Sequence, residues 1–181
     1  MRGPRLLVVR TDAVGDTVLS LPVAGDLKAS LPGCHVTWLS TPAVAPLPRL
    51  DANVDAVLEW SDRTPVAPLV PLLEAGHFDA AVVLHPKPKG WSPLTAALLR
   101  ARIPVRVGTG RRWWGLALYT HRVWATRHRA GLHECARARE HGRVLLRALG
   151  ADPGVCDRPP RARLAAPGEE LTRVKEHLER E

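Results

Sequence analysis

The chain has no uninterrupted apolar run of about 18 residues, and its first ten residues show no apolar segment leading into a small-residue cleavage site. Neither a membrane span nor a secretory signal is expected. Cysteine occurs only at Cys34, Cys135 and Cys156, an odd number of widely spaced residues. Such usage argues against a disulfide framework and against a CxxC zinc site, and favours reduced thiols in a cytoplasmic protein. Among the histidines, His133 and His141 fall on one expected helix, but the run "HECARAREH" lacks the HExxH spacing that brings two imidazoles to one metal. No metal or other cofactor is assigned. Glycine is scarce where a nucleotide loop would need it: residues 11–16 contain Gly15 alone, so the segment is neither a GxGxxG fingerprint nor a GxxxxGK[ST] loop. Hydride transfer and ATP hydrolysis lose support.

Acidic residues are nearly missing from one stretch. Residues 1–99 hold 8 Lys/Arg and 9 Asp/Glu, residues 100–147 hold 12 and 2, and residues 148–181 hold 6 and 7, leaving −1, +10 and −1 of the net +8. A block of this kind is either a solvated face or a surface for an anionic partner, and charge alone does not choose among phosphate, nucleic acid and acidic lipid.

What is present alternates between two periodicities. "RLLVVR" (5–10) reads as a buried strand; Leu19, Val23 and Leu27 then recur at helical spacing, kinked at Pro22, before "CHVTWLS" (34–40) returns to strand. Strands are expected again at 53–60, 78–85 and 105–108, with helices at 68–76, 92–101 and 133–150. Alternation of this sort implies a Rossmann-like, doubly wound parallel α/β sheet. The Pro-rich and charged segment "DPGVCDRPPRARLAAPGEE" reads as a linker, and Leu171, Val174 and Leu178 follow it at helical spacing.

In an open parallel sheet, ligands bind beyond the carboxyl ends of the strands, and "RTDAVGD" (10–16) occupies the first such turn. Asp16 opens a helical pattern there. A carboxylate at a helix start is ordinarily a cap, held ionised by the N–H groups and the dipole. The functional alternative is a general base that takes the proton of an attacking hydroxyl, with Gly15 allowing close approach. Asp12 competes for either role.

The run "RLLVVRTDAVGDTVLSLPVAGDLKASLPGCHVTWLSTPAVAPL" resembles the opening of the bacterial heptosyltransferases, glycosyltransferase family 9. "NVDAVLEW", "FDAAVVL", "IPVRVGTGRRWWGLALYTHRV" and "LHECARAREHGRVLLRALG" follow in the family's order. The resemblance implies the N-terminal, acceptor-side half of a GT-B enzyme (residues 1–152), then a linker and helix (153–181) leading to a second domain that this chain lacks, together with the DTGxxH-like donor motif. It implies inverting, metal-independent transfer of heptose or a related sugar from an ADP-sugar to a lipopolysaccharide core or similar glycan, with Asp16 as base. Thr11, Val14, Gly15, Lys89, Arg106, Arg111, Arg112 and His133 are the substrate-binding candidates on the same ground, although "VLHPKPKG" (83–90) departs from the family's usual aspartate or glycine after the fourth strand. The resemblance also implies an anionic glycolipid acceptor and a cytoplasmic location with peripheral contact at the inner leaflet.

Other readings stand beside this one. Arg106, Arg111, Arg112, Arg122, Arg127 and Arg129 interleave with Trp113, Trp114, Tyr119 and Trp124, a composition that also suits phosphates and stacked bases. No RRM, KH or zinc-finger signature accompanies it. Trp113 and Trp114 as packing residues and the arginines as a solvated face form the plainest account. His133 fits a local helix cap equally well. A non-catalytic remnant or scaffold that keeps acceptor affinity is the remaining alternative.

Overall fold

The computed structural model describes residues 2–61, 63–84, 92–110, 118–124, 133–162 and 164. Six strands, β1 (Arg5–Val9), β2 (His35–Ser40), β3 (Ala56–Glu59), β4 (Ala80–Val83), β5 (Val105–Gly110) and β6 (His121–Trp124), form one sheet. Their order is β3-β2-β1-β4-β5-β6, and every neighbouring pair is parallel. The strand order reverses direction between β1 and β4, which is where a doubly wound sheet opens a crevice for ligand.

Strands buried on both faces must be apolar at every position, and β1 meets that requirement with Leu6, Leu7, Val8 and Val9 all fully buried. Leu6 and Val8 join Trp38, Leu27, Leu145 and Leu146 on one side of the sheet, while Leu7 and Val9 join Leu39, Leu73, Leu98 and Ile103 on the other. Helices α1 (Val14–Ser20), α2 (Pro22–Ser30), α3 (Pro46–Arg49), α4 (Leu69–Gly76), α5 (Pro93–Arg100) and α6 (Glu134–Ala148) cover the two faces. Pro22 lacks the N–H that would continue the ladder, so the expected single helix becomes two, joined through Leu21 in helical conformation. Short α3 and strand β6 were not expected from periodicity, because four-residue elements carry too little pattern. The Pro-rich segment begins with a 3-10 turn at Pro153–Asp157, Leu164 bridges to Asp51, and the expected helix through Leu171, Val174 and Leu178 lies outside the described residues.

One buried ion pair locks helix to helix. Arg139 of α6 donates from Nε to Asp26 Oδ2 at 2.7 Å and from Nη2 to Asp26 Oδ1 at 2.9 Å, with both side chains 8% exposed. The same guanidinium donates to the carbonyls of Val155 at 3.0 Å and Arg158 at 2.6 Å, so α2, α6 and the 3-10 turn share one clasp. The pair holds the Arg139 pKa above its ordinary value, the hydrogen bond it donates to Asp26 being the main cause. On β5, Gly108 is required by packing: a Cβ there would lie 2.3 Å from the Tyr119 ring.

Two predictions follow from this packing. Asp26→Ala strands the Arg139 charge and should cost about 3 kcal/mol of stability in a urea titration. Burial raises the Tyr119 phenol from 10.0 to about 12, and raises the Cys156 thiol from 9.0 to about 12 with the Asp26 charge as second cause. Both groups are neutral in the folded chain where the unfolded chain would ionise them. Stability should therefore be level below pH 9 and fall as the pH climbs from about 9 towards 12. Tyr119→Phe should flatten the part of that fall above pH 10, read as urea midpoints against pH.

Candidate functional site

The crevice between β1 and β4 is built around one cation. Arg10 follows β1 directly; its backbone N–H donates to Leu39 O at 3.0 Å, continuing the β1–β2 ladder by one residue. Its side chain is fully buried, and Nη1 donates to the carbonyl of Leu84, just past β4. A guanidinium cannot shed its charge, so burial at this position demands carboxylates. Three supply them: Asp12 Oδ2 lies 3.4 Å from Nε, Asp16 Oδ2 lies 3.4 Å from Nη2, and Glu134 Oε1 lies 3.1 Å from the same Nη2. Only the Glu134 contact is a hydrogen bond of normal geometry. Glu134 Oε2 is in turn 3.5 Å from Arg137 Nη1.

The three carboxylates differ in access. Asp16 is 43% exposed, Asp12 25% and Glu134 18%. Asp16 is therefore the one most open to a ligand. It does not cap α1: the cap position is Ala13, which makes no side-chain bond, and Asp16 sits in the first turn with its carbonyl accepting the Ser20 hydroxyl at 2.7 Å. The capping reading of Asp16 is thus replaced by an ion pair to Arg10.

Among the substrate-binding candidates, Thr11, Val14 and Gly15 surround this group. Thr11 is half-buried in the turn, Val14 is 55% exposed, and the position a Cβ would take on Gly15 has no atom within 4 Å. Nothing in the fold itself requires glycine at position 15. His133 also comes to the crevice, as the residue before Glu134; its Nδ1 accepts the Cys135 N–H at 3.3 Å and caps α6, as the local reading held. Arg106 is placed elsewhere. In β5 it lies level with Ala81 and hence with Leu7, three residues short of Arg10. Its guanidinium donates to the carbonyls of Leu118, at 2.9 Å, and Ile103, and burial lowers its pKa. It braces the corner before β6 and stands apart from the crevice. Lys89, Arg111 and Arg112 lie outside the described residues.

Arg10 and Glu134 were missed in the sequence. The signal for Arg10 was present: a cation directly after the four buried apolar residues Leu6–Val9 has to find buried partners. Glu134 carried none, because its partner is 124 positions away.

The architecture matches solved structures. An E. coli heptosyltransferase, WaaC, solved with ADP-2-deoxy-2-fluoro heptose, superposes with a TM-score of 0.64 at 22% identity over 81% of this chain and 48% of that one. A glycosyl transferase family 9 structure from Veillonella parvula gives 0.71 at 16% identity over 96% and 48%. E. coli ADP-heptose lps heptosyltransferase II gives 0.65 at 21% over 96% and 50%. The fold is that of a GT-B glycosyltransferase half. The chain thus spans about half the length of each GT-B structure it matches. No protein-family model matches the sequence, and no curated protein matches it. Among the described residues, no helix of this GT-B half is long and apolar enough to cross a membrane.

Gly15→Ala tests what the crevice asks of that residue. With open space around the Cβ and no left-handed backbone, alanine in α1 should leave stability unchanged or raise it by about 0.5–1 kcal/mol in thermal unfolding.

Proposed function

We propose that this chain is the acceptor-side half of an inverting glycosyltransferase. It transfers heptose or a related sugar from an ADP-sugar to a hydroxyl of a lipopolysaccharide core or similar glycan. The observation that carries the reading is the Asp16 carboxylate: half-exposed at the switch point of the sheet, ion-paired to a buried arginine, and without a side-chain hydrogen bond among the described residues. The ligands bound in the superposable E. coli WaaC structures, ADP and ADP-2-deoxy-2-fluoro heptose, support a nucleotide-sugar donor.

The chemistry asks little of the protein beyond position and proton acceptance. The acceptor hydroxyl donates to Asp16 and its oxygen attacks the anomeric carbon from the face opposite the nucleotide. The bond from that carbon to the diphosphate oxygen breaks with its electron pair, ADP leaves, and the proton stays on Asp16 until solvent removes it. Inversion at the anomeric carbon follows from the single in-line displacement. Arg10 holds Asp16 by an ion pair at 3.4 Å, and the space above Gly15 admits the sugar ring. Lys89, Arg111, Arg112 and His133 enter as candidates for the acceptor's anionic groups, on the resemblance alone. The cytoplasmic location and a contact with the inner leaflet belong to the same proposal, the basic stretch 100–147 being suited to acidic lipid.

The test is transfer from ADP-heptose to an inner-core acceptor, assayed with this chain alone and with the other half of a matching heptosyltransferase supplied separately. Turnover in either mixture that drops about 10²–10⁴-fold in Asp16→Asn supports the base. Gly15→Ala should lose turnover while keeping its stability. Acceptor binding without turnover in every mixture, unchanged by Asp16→Asn, would instead identify a scaffold.

A further inference from the structure

The arrangement at Arg10 contains more than a base and its counter-ion. Nη2 faces two carboxylates at once, Glu134 at 3.1 Å and Asp16 at 3.4 Å, and its hydrogen bond goes to Glu134. The guanidinium has no latitude to serve both better. It is fully buried, Nη1 is held by the Leu84 carbonyl, and Nε faces Asp12. Glu134 is likewise held, by its place in the first turn of α6 and by Arg137 at Oε2.

We infer that Glu134 is a positioning residue for Asp16, accepting the Arg10 Nη2 hydrogen bond so that the Asp16 carboxylate keeps its lone pairs for an incoming hydroxyl. The inference rests on reading Asp16 as the base and goes one step beyond it. A carboxylate that accepts a guanidinium hydrogen bond is a weaker base than one merely near the charge, because the bond is lost on protonation. Without Glu134, a small rotation of the Asp16 side chain would convert its 3.4 Å approach into that bond. Removing Glu134 also removes a like charge beside the same nitrogen. Both changes make Asp16 release its proton more readily.

The groups that bear on Asp16 come from each element around α1. Arg10 and Asp12 lie at the end of β1 and in the turn after it, Glu134, Arg137 and His133 belong to α6 and its cap, and from α3 comes Arg49, whose guanidinium is engaged by Glu59. Of these, only Glu134 shares its arginine nitrogen with Asp16.

The experiment follows the carboxyl carbon shifts of Asp and Glu against pH in the isotope-labelled full chain, with no sugar present. In Glu134→Gln the Asp16 midpoint should move down by about half to one pH unit. Asp79, which accepts the Arg5 backbone N–H at the far end of the sheet, should not move. In an Arg10→Lys background, where the ammonium cannot hold both Leu84 O and a carboxylate in the fork geometry, the Glu134→Gln displacement should shrink by at least half. Backbone amide shifts report whether each variant is folded. An unmoved Asp16 in folded Glu134→Gln, or an equal displacement in both backgrounds, overturns the inference. A displaced Asp16 titration together with turnover that ignores Asp16→Asn would sink the base assignment and leave the positioning intact.

Discussion

A positive charge that cannot be neutralised is buried at the one point where this sheet reverses its strand order, and the surrounding architecture answers to it. Arg10 continues the hydrogen-bond ladder from β1 to β2, reaches the carbonyl that ends β4, and collects carboxylates from the turn before α1, from α1 itself and from the start of α6. Four separate segments are thereby aligned by a single side chain. The strength of such an arrangement lies in specificity more than in net stabilisation, since desolvating the ions offsets much of their attraction. Of the three carboxylates gathered at the mouth, one of them shared with Arg137, the most exposed belongs to Asp16.

The second charged cluster does different work. Asp26 and Arg139 meet away from the crevice, nearly out of water, and tie two helices to the segment that follows them. Arginine suits both places because its planar fork, which cannot be deprotonated, carries enough N–H donors for carboxylates and main-chain carbonyls together. One fold thus uses the same residue type once to arrange a site and once to close a body.

Most of the sheet could be read directly from periodicity. The apolar runs of β1 and β4 and the apolar-rich stretches of β2 and β5 are bounded by turn signals, and buried parallel strands are where that pattern is clearest. Pro22 announced its own break. What could not be read were elements too short to show a period, such as α3 and β6, and contacts whose partners are remote in the chain. Asp16 was legible as a residue of interest because of its place after Gly15, whereas its partnership with Arg10 and Glu134 exists only once residues 10, 16 and 134 are brought together. Arg106 shows the converse: a cation in a basic stretch invites assignment to a ligand, and here it lies below the carboxyl edge of its strand and donates to two carbonyls beside it.

The break at Pro22 has a mechanical side. α1 is referenced to the crevice through the Asp16–Arg10 pair, and α2 is referenced to α6 through Asp26 and Arg139. Between these two moorings lies a junction with one backbone hydrogen bond fewer than a continuous helix would have. Pro22 thus lets α1 take its own direction against α6 and the crevice, while α2 answers to the clasp between Asp26 and Arg139.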